Sequence, residues 1–351
     1  ISMDTPYNER KFIMNKLVIL LASVLLSSTL HARDIINIVG SSTVYPYSTV
    51  VAERLSEAGS KAPTVASTGS GGGMKMFCAG VGVEHPDITN ASRAMKSKEA
   101  KLCLDNGVNN VVEVTVGNDG IVFANSLEGP DMKVTTEQLY LAMAKLVPVD
   151  GKLVPNPYTK WSEIDASLPD IEIDVLVAPP SSGTRDAWES LVMKKGCKEA
   201  GAKDLHTEKN GCKHFREDGR TTEMGENDTL IVNKLKSNPA RFGFFGYSYL
   251  LENQDAIKGS EVNGVKASLE TIQSYEYPIA RPLFFYIKKD HVGIIPGIEE
   301  YAKLFISEEA TSIDGFLGSI GLVPLADDKA AEVKAIVENL TTMDLQSKAS
   351  K

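Results

Sequence analysis

Three short runs of small, hydroxyl-bearing residues carry most of the chemistry in this sequence: Gly40-Ser41-Ser42-Thr43, Gly69-Ser70-Gly71-Gly72 and Ser181-Ser182-Gly183-Thr184. Each follows a strand-like stretch and precedes a helical one. The first turn of a helix leaves its N–H groups unpaired and carries a partial positive charge. Glycine lets a ligand approach the backbone closely, and the hydroxyls add donors. Several such termini facing one cleft would bind an anion with little formal charge. Two arginines stand at related loop ends, Arg93 after Ala91-Ser92 and Arg185 after Thr184. Their planar forks suit an oxyanion. Taken singly, each run is an ordinary N-cap. Their recurrence at three junctions, with two arginines, is what points to anion binding.

Other chemistries fail on spacing or composition. Gly69 to Met74 misses the G-x-G-x-x-G pattern because its sixth residue is Met74, and there is no G-x-x-x-x-G-K-[ST]. No Gly-x-Ser-x-Gly elbow surrounds Ser42, Ser70 or Ser182. With 5 His and 4 Cys scattered along 351 residues, neither a metal site nor a cofactor is expected, nor enzymatic activity. Trp161 and Trp188 read as packing residues. The length suffices for two domains, and 42% hydrophobic with 24% charged residues is ordinary for a globular chain. A net charge of -9 argues against nucleic acid and anionic membrane surfaces as partners.

The elements that position these loops can be read in outline. Met14-Asn15-Lys16, the apolar run Leu17 to Leu30 and the small residue Ala32 form a secretory signal peptide over 14–32, with 1–13 as an upstream extension. The segment 1–32 is therefore set apart from the fold. No cysteine near Ala32 offers a lipid anchor, so a freely diffusing periplasmic protein is expected. In that oxidising compartment Cys78–Cys103 and Cys197–Cys212 are the disulfide pairing with the shortest loops. Free buried thiols are the alternative, and a zinc site is a third. Strands are predicted at 35–39, 64–67, 87–91, 173–177 and 243–249, with helices after each glycine-serine loop and over the last 60 or so residues. Alternation of strand and helix implies a mostly parallel α/β sheet. Val111 to Val116 and Ile121 to Ala124 form a long strand broken by Gly117-Asn118-Asp119-Gly120, read as a crossover between domains. Ile279 to Ile287 is the return crossover, and 196–226 is read as a cysteine-clasped surface loop.

The ordered set GSSTVYP (40–46), TGSGGGMKMF (68–77), ASR (91–93), GNDGI (117–121), PPSSGTRDAWESL (179–191), GEND (225–228) and NPARFGFFGYSYL (238–250) resembles the phosphate-binding proteins of bacterial ABC uptake systems, the PstS family. The resemblance implies a type II periplasmic binding protein fold, with two α/β lobes, a two-strand hinge and a ligand cleft between them. It places lobe 1 at 33–117 and 281–351, and lobe 2 at 118–280. It implies capture of inorganic phosphate, delivery to an inner-membrane permease, and a monomer. By motif, Thr43 and Ser70 resemble the ligands of the first two loops, and Ser182, Gly183 and Thr184 the helix-terminus ligands. Ser42, Gly71, Ser92, Arg93 and Arg185 complete the expected site, with Asn227 and Asp228 at its margin. Two positions depart from the pattern. Arg93 stands where other members place an Asp that accepts the phosphate proton, as in a subset of the family. Ala178 stands where the family has an Arg. Arg93 or Arg185 is then expected to supply the cation, and Asp119, beside the hinge, to accept the proton, with Asp228 as the alternative. Sulfate, molybdate or phosphonate binding, a sensor or adhesive role on the same fold, and a secreted phosphoesterase are the competing readings.

Overall fold

The computed structural model describes residues 33–180, 182–225 and 228–351. The signal segment and upstream extension at 1–32, together with Ser181 and Asn227, lie outside the described residues. Three short strands build the first half: β1 (Asn37–Gly40) and β3 (Ile88–Ala91), which are buried, and β2 (Thr64–Ser67), a largely exposed edge strand. β1 lies between β2 and β3, parallel to both. Two helices rise from strand ends, α1 (Tyr45–Glu57) from the Ser41–Thr43 turn and α2 (Gly69–Phe77) directly after β2; α3 (Ser97–Asp105) follows β3. The long strand β4 (Val111–Ser126) leaves this half. Beyond it stand β5 (Val175–Val177), β6 (Thr221–Glu223), β7 (Phe242–Gly246) and β8 (Ile257–Gly259). β9 (Ala280–Lys288) returns, and α4 (Gly183–Trp188), α5 (Ile298–Phe305) and α6 (Asp327–Asn339) complete the framework. The sheet order is β2-β1-β3-β9-β4-β7-β5-β6, with β8 also on β4.

Three apolar clusters divide along β4. Val112, Val114 and Val116 join Leu283, Phe285 and Ile287 beneath α1, α5 and α6. On the opposite face Val111, Phe284 and Tyr286 meet Met74, Phe77 and the Cys78–Cys103 bridge. From Ile121 onward β4 enters the third cluster, around Trp161, Trp188, Phe242 and Phe244. Trp188 stacks on Phe244 with centroids 4.1 Å apart, so both tryptophans are packing residues as expected.

The sheet is mixed rather than mostly parallel, because β9 runs antiparallel to both β3 and β4, and β7 antiparallel to β4. Gly117–Gly120 does not break β4, which is one strand of 16 residues. A bulge instead lies immediately before the quartet. Thr115 faces Phe284 but Gly117 faces Leu283, leaving Val116 as the extra residue. Side chains alternate with period two, so one inserted residue exchanges the faces. Asp119 thereby comes onto the face of Leu283 and Arg281, where Asn118 would otherwise lie. Gly243 to Tyr249 also divides: β7 ends at Gly246 and a helical segment begins at Tyr247. The presumed loop at 196–226 contains the end of a helix and β6, a sheet edge strand.

Both disulfides pair as expected, Cys78–Cys103 and Cys197–Cys212. His206 lies beside the second bridge, within 4.8 Å of its sulfurs, a proximity that sequence spacing does not reveal. Sulfurs bonded to each other offer no thiolate to a metal, which removes the zinc alternative for this oxidised form.

The turn that launches α1 depends on Gly40, which has φ +126°; a Cβ there would lie 2.2 Å from the carbonyl oxygen of Asn90. Gly40→Ala is therefore expected to destabilise the fold by about 2–3 kcal/mol, through strain and collision together. Urea unfolding of the two proteins checks this.

Candidate functional site

The three glycine-serine loops meet where β4 passes from one half to the other. Ser41 to Thr43 link β1 to α1, held by the Ser41 N–H donating to Asn90 O at 2.9 Å. Ser70 lies in the first turn of α2. Its hydroxyl accepts the Ser92 N–H at 3.1 Å and lies 3.3 Å from Ser92 Oγ. Ser182 caps α4 by accepting the Thr184 N–H at 3.1 Å, and the helix runs on through a π-helical turn at Glu189–Met193 to Glu199. α4 and the first loop touch directly. Thr43 Oγ1 donates to Gly183 O at 3.4 Å, and a Cβ on Gly183 would sit 2.5 Å from Thr43 Cα. Glycine at 183 is thus required by close approach rather than by backbone angle.

At the centre stands a residue that the sequence reading missed. Arg281 faces Asp119 directly across the β9–β4 ladder. Its Nε donates to Asp119 Oδ2 at 3.1 Å, one terminal nitrogen donates to Thr43 Oγ1 at 2.8 Å, and the other to Asp186 Oδ2 at 3.2 Å. Arg281 and Asp119 are 8% and 7% exposed, so this is a buried ion pair with a third, more open carboxylate beside it. Burial pushes the Asp119 carboxyl above its ordinary range; Arg281 pulls it back and Asp186 adds to the rise. The available signal was an arginine inside an otherwise apolar strand, IARPLFFYI, where a charge needs a buried partner.

The two arginines singled out by sequence are engaged elsewhere. Arg93 makes a bidentate pair with Glu99, at 2.8 and 2.7 Å. Burial raises the Glu99 carboxyl, but the Arg93 fork and the Lys96 N–H outweigh it and hold Glu99 below its ordinary range. Arg93 still lines the cleft. Arg185 turns away from the site, lies over the Phe215 ring at 3.7 Å and donates to Ala178 O and Glu189. It lines a different cavity of about 610 Å³ with Lys145, Arg216 and Glu223, which corrects its expected place beside Thr184.

Two cavities flank the Thr43–Gly183 contact. One, of about 690 Å³, is lined by Ser42, Thr43, Asp119, Ser182, Gly183 and Thr184. The other, of about 440 Å³, is lined by Ser42, Ser70, Gly71, Ser92, Arg93 and Arg281 among others. Lys96, Lys194 and Lys213 also border the second, so its rim is cationic. Partial burial and then Lys213 lower the Lys194 ammonium. Every expected site residue within the description except Arg185 therefore borders one of these two spaces, apart from Asp228, which is described only as the first residue of a helix, Asp228–Lys236.

The chain matches the family model for the PBP superfamily domain over residues 27–309. It is 30% identical to protein SphX of Synechococcus elongatus over 73% of this chain and 69% of that protein. It is 27% identical to the phosphate-binding protein PstS of Staphylococcus epidermidis over 80% of this chain and 77% of the other. Among solved structures, a possible phosphate binding protein from Planctomyces limnophilus aligns with a TM-score of 0.68 and 27% identity, covering 87% of this chain and 98% of that one.

The Thr43–Gly183 contact generates a test. Gly183→Ala places a methyl against Thr43 while improving helix propensity in α4. Calorimetric titration is expected to show at least roughly tenfold weaker binding of a tetrahedral oxyanion, and the collision with the Thr43 backbone is expected to lower the melting temperature as well.

Proposed function

The chain belongs to the PBP superfamily, and from that premise we propose that it captures inorganic phosphate outside the inner membrane and delivers it to an ABC permease. The observation that carries this reading is the meeting of two strand–helix termini at Thr43, whose hydroxyl accepts from Arg281 while the same guanidinium holds the buried Asp119 carboxylate. Helix N–H groups and hydroxyls from Thr43, Ser70, Ser182 and Thr184 surround the anion. Asp119 accepts the proton that phosphate retains near neutrality. Sulfate has no such proton, and an unpaired carboxylate facing it is costly, so the same group attracts one anion and rejects the other. Nothing in this arrangement activates a nucleophile, and binding without chemical turnover is the function it supports.

Residues 33–117 with 281–351 act as one lobe and 118–280 as the other. Closure is a hinge motion at 117–120 and 279–282. The signal segment directs export to the periplasm, where the protein acts as a monomer.

A thermal-shift panel of phosphate, sulfate, molybdate and phosphonate tests the reading. Phosphate alone is expected to stabilise strongly, by about 2.7 kcal/mol at one hundred times Kd. Equal stabilisation by sulfate would overturn the phosphate assignment. Asp119→Asn is expected to weaken phosphate binding at least roughly tenfold and to narrow the gap to sulfate.

A further inference from the structure

We propose that Arg281 is the cation that binds the anion in this cleft, working as a couple with Asp119, and that Asp186 is a built-in counter-anion which the ligand displaces from it. The proposal rests on the oxyanion-binding reading and names the residues that set its affinity.

The geometry excludes the other arginines that sequence places near the loops. Arg93 has both fork nitrogens on Glu99, and Arg185 is turned into another cavity. Of the lysines on the rim, Lys96 and Lys194 are exposed and Lys213 donates to Glu189 at 2.7 Å. Arg281 borders the same cavity as Ser70, Gly71 and Ser92, as Arg93 does, and differs from it in two respects. It holds Thr43 Oγ1, the hydroxyl that also touches Gly183, so its fork lies at the junction of the first loop and α4. It is also fixed by strand register, because the bulge at Val116 brings Asp119 to its face.

Asp186 has a different character from Asp119. Its side chain is 44% exposed and sits on α4, two residues beyond Thr184. One guanidinium thus faces two carboxylates, one buried within the ladder and one open to the cleft. A tetrahedral oxyanion offers the same fork several acceptor oxygens at once. The terminal nitrogen on Asp186 is the one free to exchange partners, since Nε is kept by Asp119.

The test uses the secreted chain, calorimetric titration with inorganic phosphate, sulfate and molybdate, and melting curves for every variant. Arg281→Met is expected to weaken whichever anion the parent binds by roughly 100-fold, and Arg281→Lys by less, because the charge remains but the fork is lost. Arg93→Met is expected to cost less than tenfold. Arg281→Met also leaves Asp119 unpaired, so Asp119→Asn/Arg281→Met removes both charges and must melt as a folded protein while still binding weakly. Asp186→Asn is expected to tighten binding a few-fold. Parent-like affinity in the double variant, a larger loss for Arg93→Met than for Arg281→Met, or weaker binding by Asp186→Asn would overturn the proposal. A parent that binds sulfate or molybdate but not phosphate refutes the phosphate reading while leaving these variants to judge Arg281. A parent that binds none overturns both.

Discussion

The Arg281–Asp119 contact is the interaction on which the rest of the site depends. A buried ion pair is a poor source of stability, since desolvation offsets most of the Coulombic gain. Its retention between two apolar clusters points to another use. Asp119 and Arg281 are opposed residues on adjacent antiparallel strands, so their separation is held by the ladder rather than by flexible loops. From that anchor the guanidinium reaches Thr43 in one direction and Asp186 in the other. The first loop and α4 are therefore tied to the same point.

The strand crossing explains how such an anchor can sit at the proposed hinge. β4 is shared by clusters on both sides of the Gly117–Gly120 stretch. Its polar groups are satisfied locally: Asn118 N–H donates to Val323 O at 2.7 Å and the Tyr275 hydroxyl donates to Asn118 Oδ1 at 2.6 Å. Backbone hydrogen bonding thus continues through the crossover while apolar packing changes from one cluster to the next. Rotation at such a place would disturb few apolar contacts and leave the sheet pairing of Asp119 with Arg281 in place.

The acidic balance of the chain is compatible with an anion at this point. Surface charges are screened beyond roughly 8–10 Å at physiological salt. What acts on a buried anion is the local set: helix-terminal N–H groups, hydroxyls, Arg281, and the lysines at the cavity rim. The net charge of -9 disfavours polyanions, whose binding requires many cations over a wide surface, and bears little on one small anion in a cleft.

The glycine-serine loops, the strands feeding them and both disulfide pairings were legible in the amino-acid sequence, because they follow from local rules. Strand-to-helix junctions prefer small polar residues, helix starts expose N–H groups, and cysteines in an exported chain pair with near neighbours. The roles of the arginines were not legible. Arg93 and Arg185 adjoin the motifs, yet Glu99 and Glu189 hold them. Arg281 lies 162 residues from Asp119 and 238 from Thr43, and meets both only through strand register. That register turns on one extra residue at Val116, and a single-residue bulge has no composition signature. Residue types and order pointed to helix ends suited to an anion; the pairing of β4 with β9 decided which arginine and which carboxylate meet beside them, because side-chain facing in a sheet is a property of two strands together.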